Sequence, residues 1–369
     1  MPPIPIVQFG TSRFLQAHAD LFVSEAAAQG RALGEIAVIQ SSGDAGRAKR
    51  LSTLADGYDV RLRGIENGRE VDEVRHVNSI ARALSLRADF EEAQRLICEE
   101  ARIILSNTAD AGFRPQPADK VAAYDHTMSY PARLAHLLRP RYEAGGGTLQ
   151  IMPTELVRNN GIVLRDLVVA AAAGLDGDYR AWLAEGVVWV NSLVDRIVSE
   201  ALEPAGAVAE PYALWAVEKR PGLVLPCVHP CLQVVEDLGV IERRKLFVLN
   251  LGHSWMVSRW LSRGRGGAIF VRDVMEDRQW AARLAEVYEE EVLPGFRAAG
   301  EADGIEDYVA VTLERFSNPF LDHRLEDIAQ NHSEKLGRRI GAFLDWARAN
   351  GDTGPKPRLE AAFEGATPC

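Results

Sequence analysis

The first forty residues restrict the fold more than any other part of this 369-residue chain. Ile4 to Phe9 is a short apolar run, Gly10-Thr11-Ser12 a turn, and Phe14 to Ala28 has apolar residues at helical spacing. Glu35 to Gln40 is a second apolar run, ended by Ser41-Ser42-Gly43. Strand, helix and strand joined by loops of a few residues form a βαβ unit. Its strands must run parallel through a right-handed crossover. Further strands are expected over Ala101 to Ser106, Thr148 to Met152, Val187 to Val190 and Tyr212 to Val217. Each follows a helical or irregular stretch, which is the rhythm of a doubly wound α/β sheet.

Past residue 235 strand signals become scarce. Helical segments are expected over Glu242 to Ser262, Glu276 to Val292, Glu306 to Arg315, Leu321 to His332 and Glu334 to Ala349. A chain of this length has room for about two domains. The expected division is an α/β domain over 1–235 and a mostly α-helical domain over 236–369. Gly145-Gly146-Gly147 reads as a loop inside the first domain. The tail from Gly351, with Pro355, Pro357 and Pro368, reads as a loosely held extension.

Charge and cysteine usage narrow the function. With 52 acidic against 42 basic residues the formal charge is −10, against the basic face a nucleic-acid binder needs. The longest apolar run, Leu167 to Leu175, falls far short of the roughly 20 residues that span a bilayer. Four scattered cysteines do not make a secreted disulfide framework, and the N-terminus has no signal-peptide pattern. The expectation is a cytoplasmic protein with neither membrane nor nucleic acid as partner, acting as monomer or homodimer.

Several motifs can carry chemistry. Gly10-Thr11-Ser12-Arg13-Phe14 lies between strand and helix, where dinucleotide folds place a pyrophosphate on free amides. Only the first glycine of G-x-G-x-x-G is present, so the same residues also describe an ordinary turn. Ser42 stands near where an NAD-binding fold carries an acid for the ribose. Arg47, Lys49 and Arg50 follow, facing a 2′-phosphate or simply solvent; NAD and NADP both remain open. Asn107 and Thr108, after the apolar Ile103-Ile104-Leu105, suit the ligand crevice or a polar turn. Cys227, His229 and Cys231 hint at zinc, but no second ligand pair accompanies them, and a metal-free site is expected.

Lys245, Asn250 and His253 are the polar exceptions in Arg244-Lys-Leu-Phe-Val-Leu-Asn-Leu-Gly-His-Ser-Trp255. On an α-helix, offsets of five and eight residues fall within an arc of about 140°. A lysine desolvated beside Phe247 and Trp255 would be a usable base near neutral pH, with an amide and an imidazole to hold an alcohol oxygen. The same spacing also describes a snorkelling lysine with a satisfied core Asn and His.

Taken in order, these blocks resemble the long-chain polyol-specific dehydrogenases, which include mannitol dehydrogenases and the tagaturonate and fructuronate reductases. The resemblance runs through Ile6 to Leu15, Ser106 to Gly112, Pro153 to Gly161, Val194 to Ile197, the Lys245–Asn250–His253 set, Arg315 to Pro319 and Lys335. It implies a Rossmann-type domain, a helical domain and a metal-free site in the cleft between them. By that resemblance Lys245 is the general base of alcohol oxidation, Asn250 polarises the reacting oxygen and His253 holds a neighbouring hydroxyl. Asn160, Asp195 and Lys335 become substrate or supporting groups; Gly10, Thr11, Ser12, Phe14, Asn107 and Thr108 hold NAD or NADP. Leu156 stands where mannitol 2-dehydrogenases have a second asparagine, which points toward the uronate reductases. The implied substrate is an open-chain sugar acid or a polyol. A sugar acid would need a cation, Lys335 or Arg13, near its carboxylate. The alternatives are a polyol-phosphate dehydrogenase and a catalytically silent nucleotide-binding protein.

Overall fold

The computed structural model describes residues 2–41, 48–108, 110–120 and 123–364. Its strands, in chain order, are β1 (Ile6–Phe9), β2 (Ile36–Gln40), β3 (Tyr58–Glu66), β4 (Arg69–Val77) and β5 (Ile80–Ser85). They continue with β6 (Ile103–Ser106), β7 (Leu149–Pro153), β8 (Val187–Trp189), β9 (Ser192–Asp195) and β10 (Val198–Ala201). The last three are β11 (Ala207–Ala209), β12 (Leu214–Glu218) and β13 (Leu232–Val235).

Two compact units divide the chain. The first comprises residues 1–62, 73–209 and 213–238; the second comprises 63–72, 210–212 and 239–369. The main cut thus falls between Leu238 and Gly239, and two short segments that precede it, 63–72 and 210–212, group with the second unit.

The first unit is built on a six-stranded sheet, ordered β5-β2-β1-β6-β7-β8. Every pairing in it is parallel. The sequences Ile-Val-Gln-Phe and Ile-Ile-Leu-Ser are buried at every position, as parallel strands covered on both faces must be. Side chains alternate between faces. Ile6, Ile36, Val38, Ile103 and Leu105 join one core, while Val7, Phe9, Ala37, Ile39 and Ile104 join the other. Each such side chain contributes about 1.5–3 kcal/mol of burial. The strand order reverses between β1 and β6, so the crevice at their carboxyl ends is the topological switch point where such sheets bind ligands. The doubly wound architecture is therefore as expected.

Several elements differ from the sequence expectation. The helix expected over Phe14 to Ala28 is two pieces, Arg13–Gln16 and Ala19–Ala27, interrupted at His18. His18 is buried there, with Nε2 bonded to the carbonyl oxygen of Leu214 at 2.9 Å. No strand was expected over 58–85, yet β3, β4 and β5 lie there. β3 alternates buried and less buried positions, whereas β4 is mostly charged and exposed. They belong to two sheets, since β3 and β4 form a sheet with β10 and β11, while β5 flanks the parallel one. A third sheet is ordered β13-β12-β9.

The second unit is helical, and among the described residues it has no strand after β13 beyond an isolated bridge between Phe270 and Arg324. Residues 238–262 are helical throughout, with a π-helical turn over Lys245–Asn250. The segment expected over Leu321 to His332 is only Leu325–Ala329, because Asn331 takes a left-handed conformation with φ 54° and starts His332–Leu336 afresh. The tail needs correction. Pro357–Glu364 is a helix whose Leu359 is wholly buried in the helical core. Lys356 is buried too, its ammonium donating to the Glu291 carbonyl (2.8 Å) and the Asp352 carboxylate (2.6 Å). Prolines at 355 and 357 suggested a loose end, but proline suits the first turn of a helix.

Candidate active site

In the first unit the carboxyl ends of β1, β6 and β7 are tied together by short polar side chains. Gly10 follows β1 with φ 119°, and a Cβ there would stand 2.7 Å from the Asn107 carbonyl oxygen, so only glycine fits. Ser12 caps the next helix, its Oγ accepting from the Leu15 amide (3.2 Å) while donating to Asn107 Oδ1 (3.1 Å). Asn107 Nδ2 in turn donates to the carbonyl and hydroxyl oxygens of Thr154. Beneath them the buried Glu155 carboxylate accepts from Ser106 Oγ and from the Thr108 amide and hydroxyl. Burial raises its pKa, opposed by those donors. Gly10, Thr11, Ser12, Phe14, Asn107 and Thr108 thus line or flank one crevice, half-buried. A backbone turn stripped of its Cβ at the switch point fits the approach of a dinucleotide pyrophosphate.

Ser42 and Arg47 lie outside the described residues. Arg50 is half-buried and lies 3.8 Å from Glu203. Arg13, one cation considered for a substrate carboxylate, is committed elsewhere. It donates to Glu203 (2.7 Å) and to the carbonyl oxygens of Pro204 and Gly206.

Asn160 is wholly buried and its amide is saturated by the backbone. Nδ2 donates to the carbonyls of Pro153, Glu155 and Ser192, and Oδ1 accepts from the amides of Gly161 and Ser192. It is a tie between β7, β9 and the helix Asn160–Ala171. Asp195 is buried at the end of β9, opposite Leu214 of β12. Leu156 sits in the loop after β7 and is 75% exposed, unusually high for a leucine.

The second unit brings Lys245, Asn250 and His253 onto one helical run. In an α-helix, five residues overshoot a full turn by about 140°. Here the Leu251 amide bonds back to the Leu246 carbonyl, an i→i+5 closure. In that wider turn five residues make close to one revolution, which brings Lys245 and Asn250 toward the same side. Both are half-buried. Phe247 packs on Phe343 and Trp346, and Trp255 faces the Arg259 guanidinium.

His253 is buried against the rings of Phe316 (4.6 Å) and His323 (4.8 Å). Burial first, and then the positive charges of His323, Arg339, Arg315 and Lys335, push its pKa well below the ordinary histidine value. It is therefore neutral at physiological pH. The same cationic surroundings act on its neighbours. His323 is lowered by burial and by Lys335 and Arg339, with Asp327 opposing. Burial, then Lys335 and Arg339, lower His332, whose two ring nitrogens are buried without a partner. Lys335 is lowered by burial and Arg339, and its ammonium donates to the Ile328 carbonyl at 2.9 Å. Arg339 donates to the Asn250 carbonyl (3.3 Å) and to Ser254 Oγ (3.1 Å), tying this cationic group to the π-turn. Arg315 is held by a buried bidentate pair with Glu210, at 2.9 and 2.7 Å. Sequence reasoning singled out Lys335 and missed His323, His332 and Arg339. The spacing of His332, Lys335 and Arg339, three and four residues apart, was the available signal.

The Cys227–His229–Cys231 motif is otherwise engaged. His229 bonds Glu25 through Nε2 (2.9 Å) and accepts the Cys231 amide at Nδ1 (3.1 Å), while its ring stacks on Phe22. Burial pushes the Cys227 thiol up to about 12, away from the thiolate a metal requires. Among the described residues no group of three or more His, Cys, Asp or Glu is placed to hold a metal ion. Nor is any described helix long and apolar enough to cross a membrane.

A parallel sheet with a glycine turn at its switch point, followed by a helical unit, is an architecture of dinucleotide-binding α/β proteins. Residues 4–223 match the mannitol dehydrogenase Rossmann domain, and residues 237–358 the mannitol dehydrogenase C-terminal domain. Altronate oxidoreductase of Bacillus subtilis is 31% identical over 375 residues, covering 95% of this chain and 76% of that protein. The enzyme of the same name from Halalkalibacterium halodurans is also 31% identical, over 95% of this chain and 72% of its own. A substrate-free D-sorbitol dehydrogenase structure superposes with a TM-score of 0.82 at 21% identity, covering 98% of this chain and 80% of its own. Pseudomonas fluorescens mannitol 2-dehydrogenase, solved with NAD and D-mannitol, superposes with a TM-score of 0.72 at 19% identity, covering 98% and 78%. The chain belongs to the mannitol dehydrogenase family. It is a dehydrogenase acting on a CH–OH group.

Proposed function

We propose that this protein interconverts a secondary alcohol and a ketone on an open-chain sugar acid of the altronate kind, using NAD or NADP and no metal, with Lys245 as general acid and base. Residues 1–235 would carry the dinucleotide, through Gly10, Thr11, Ser12, Phe14, Asn107 and Thr108, together with Ser42. Residues 236–369 would carry the chemistry on the substrate. When bound there, a nicotinamide cofactor would provide the hydride acceptor or donor. In oxidation Lys245 acts as the base that takes the hydroxyl proton while the carbon–hydrogen bond breaks and the carbonyl forms. In reduction its ammonium returns that proton. The Asn250 amide donates to the reacting oxygen, and a donor of this kind is worth about 2.7–4 kcal/mol in a site built around it. Neutral His253 holds an adjacent hydroxyl, and Asp195 supports the substrate side of the first unit.

The observation that favours a sugar acid over a neutral polyol is the cationic group around His253. After burial, the charges of Lys335 and Arg339 lower His253, His323 and His332, and Arg339 lowers Lys335; a substrate carboxylate would offset these two cations. The names of the relatives point the same way. The test is a panel of aldonates and matched neutral polyols with both cofactors, on the wild type and on Lys335→Met. The expected result is turnover of an aldonate, with Lys335→Met raising its KM about tenfold or more. Comparable kcat/KM for neutral polyols, unaffected by that substitution, would remove the sugar-acid assignment.

A further inference from the structure

A cavity lies along the face of the helix Leu251–Ser262 opposite His253. It measures about 620 Å³ and is lined along Leu251–Ser262 by Trp255, Ser258, Arg259 and Ser262. Those positions are spaced i, i+3, i+4 and i+7 and form one stripe. His253 lies two residues, about 200°, from Trp255, on the opposite face of the same helix. The remaining polar wall comes from Arg283, Glu286 and Arg358.

Three arginines thus face one carboxylate across this cavity. Glu286 is already paired with Arg358 at 3.0 Å, and Arg358 also reaches Glu290 and Glu291, which do not line the space. Arg259 and Arg283 have no ion pair or hydrogen bond from their guanidinium groups among the described residues. Arg259 is held instead over the rings of Trp255 (5.8 Å) and Trp280 (5.4 Å), and its Nε is buried without a partner. Arg263 lies over the same Trp280 ring at 4.6 Å. Burial and the charges of Arg263 and Arg283 weigh on the Arg259 cation, with only Asp277 opposing. A protein with a formal charge of −10 has acids in excess, yet leaves these arginines unneutralised.

We infer that this cavity is a binding site for a phosphate-bearing small molecule, separate from the substrate site on the other face of the helix. The guanidinium forks of Arg259 and Arg283 match the geometry of phosphate oxygens, whereas the hydroxyls of Ser258 and Ser262 already donate to the carbonyls of Ala362 and Arg259. The volume exceeds what a single phosphate fills and suits a phosphorylated metabolite. Because the helix is shared, occupancy would bear on the π-turn at its other end.

The test uses pyrophosphate as probe against the full chain, by titration calorimetry at constant ionic strength, with sodium chloride as control. It does not depend on turnover, so its outcome is separate from that of the dehydrogenase assignment. The expected result is saturable binding with Kd below about 1 mM, weakened at least fivefold in both Arg283→Gln and Arg259→Gln. Arg283 is exposed and unpaired, so that variant keeps the fold. A wild-type Kd above about 1 mM, or less than fivefold weakening in either folded variant, overturns the proposal.

Discussion

Two residues near the start of the chain carry opposite pH signatures. Asp20 is buried, hydrogen-bonded to Tyr58 at 2.8 Å, and desolvation raises its pKa to about 7. His18 is buried, and desolvation lowers it to about 3. An acid with a raised folded-state pKa stabilises fully below its unfolded value near 4, and that contribution is lost as pH rises toward 7. A histidine with a depressed pKa contributes stability above its unfolded value near 6.5, lost as pH falls toward 3. Asp20→Asn keeps an acceptor for Tyr58 and removes the alkaline loss. Its melting temperature should exceed that of the wild type by a margin that grows from pH 4 to pH 7 and then levels off. The upper bound is about 4 kcal/mol for a shift of three units. A margin independent of pH would show that Asp20 is ionised in the fold. Nothing in the sequence marked these groups, because burial by residues distant in the chain sets both shifts.

Among the elements, the loop from β7 to the helix Asn160–Ala171 shows how a motif can look functional while holding the fold. Asn160 closes five hydrogen bonds to main chain in three segments. Asn160→Ala should cost about 2–4 kcal/mol, read as a lower urea midpoint, because it strands buried amides and carbonyls. An unchanged midpoint with a raised KM would make it a substrate group instead. The parallel strands were legible because Ile36–Gln40 and Ile103–Ser106 are continuous apolar runs. The β3–β4 strands were not, since Arg69–Val77 is charged and exposed and its partners β10 and β11 lie far away in sequence. The spacing of Lys245, Asn250 and His253 was legible. The π-turn that realigns them was not, since it depends on the backbone bond from Leu251 to Leu246. The terminal helix was misread for the same kind of reason, because Leu359 finds its core only in the folded unit. Deleting residues 351–369 should lower the melting temperature through loss of Leu359 burial and the Lys356 bonds, whereas an unchanged melting temperature would place this helix outside the core.

At the level of the whole molecule, the two units would have different tasks. Under the proposed function, the switch-point crevice of the first would bind dinucleotide through Gly10, Ser12 and Asn107, while Lys245 in the second would move the proton. The two tasks should therefore separate under mutation. The most direct measurement is steady-state turnover and cofactor affinity side by side for Lys245→Met, which keeps the length of the stem and removes the amine. The predicted result is a fall in kcat of at least about a thousandfold, with the cofactor Kd within about twofold of wild type. Turnover within about tenfold of wild type would contradict the assignment of Lys245 as the group that carries the proton.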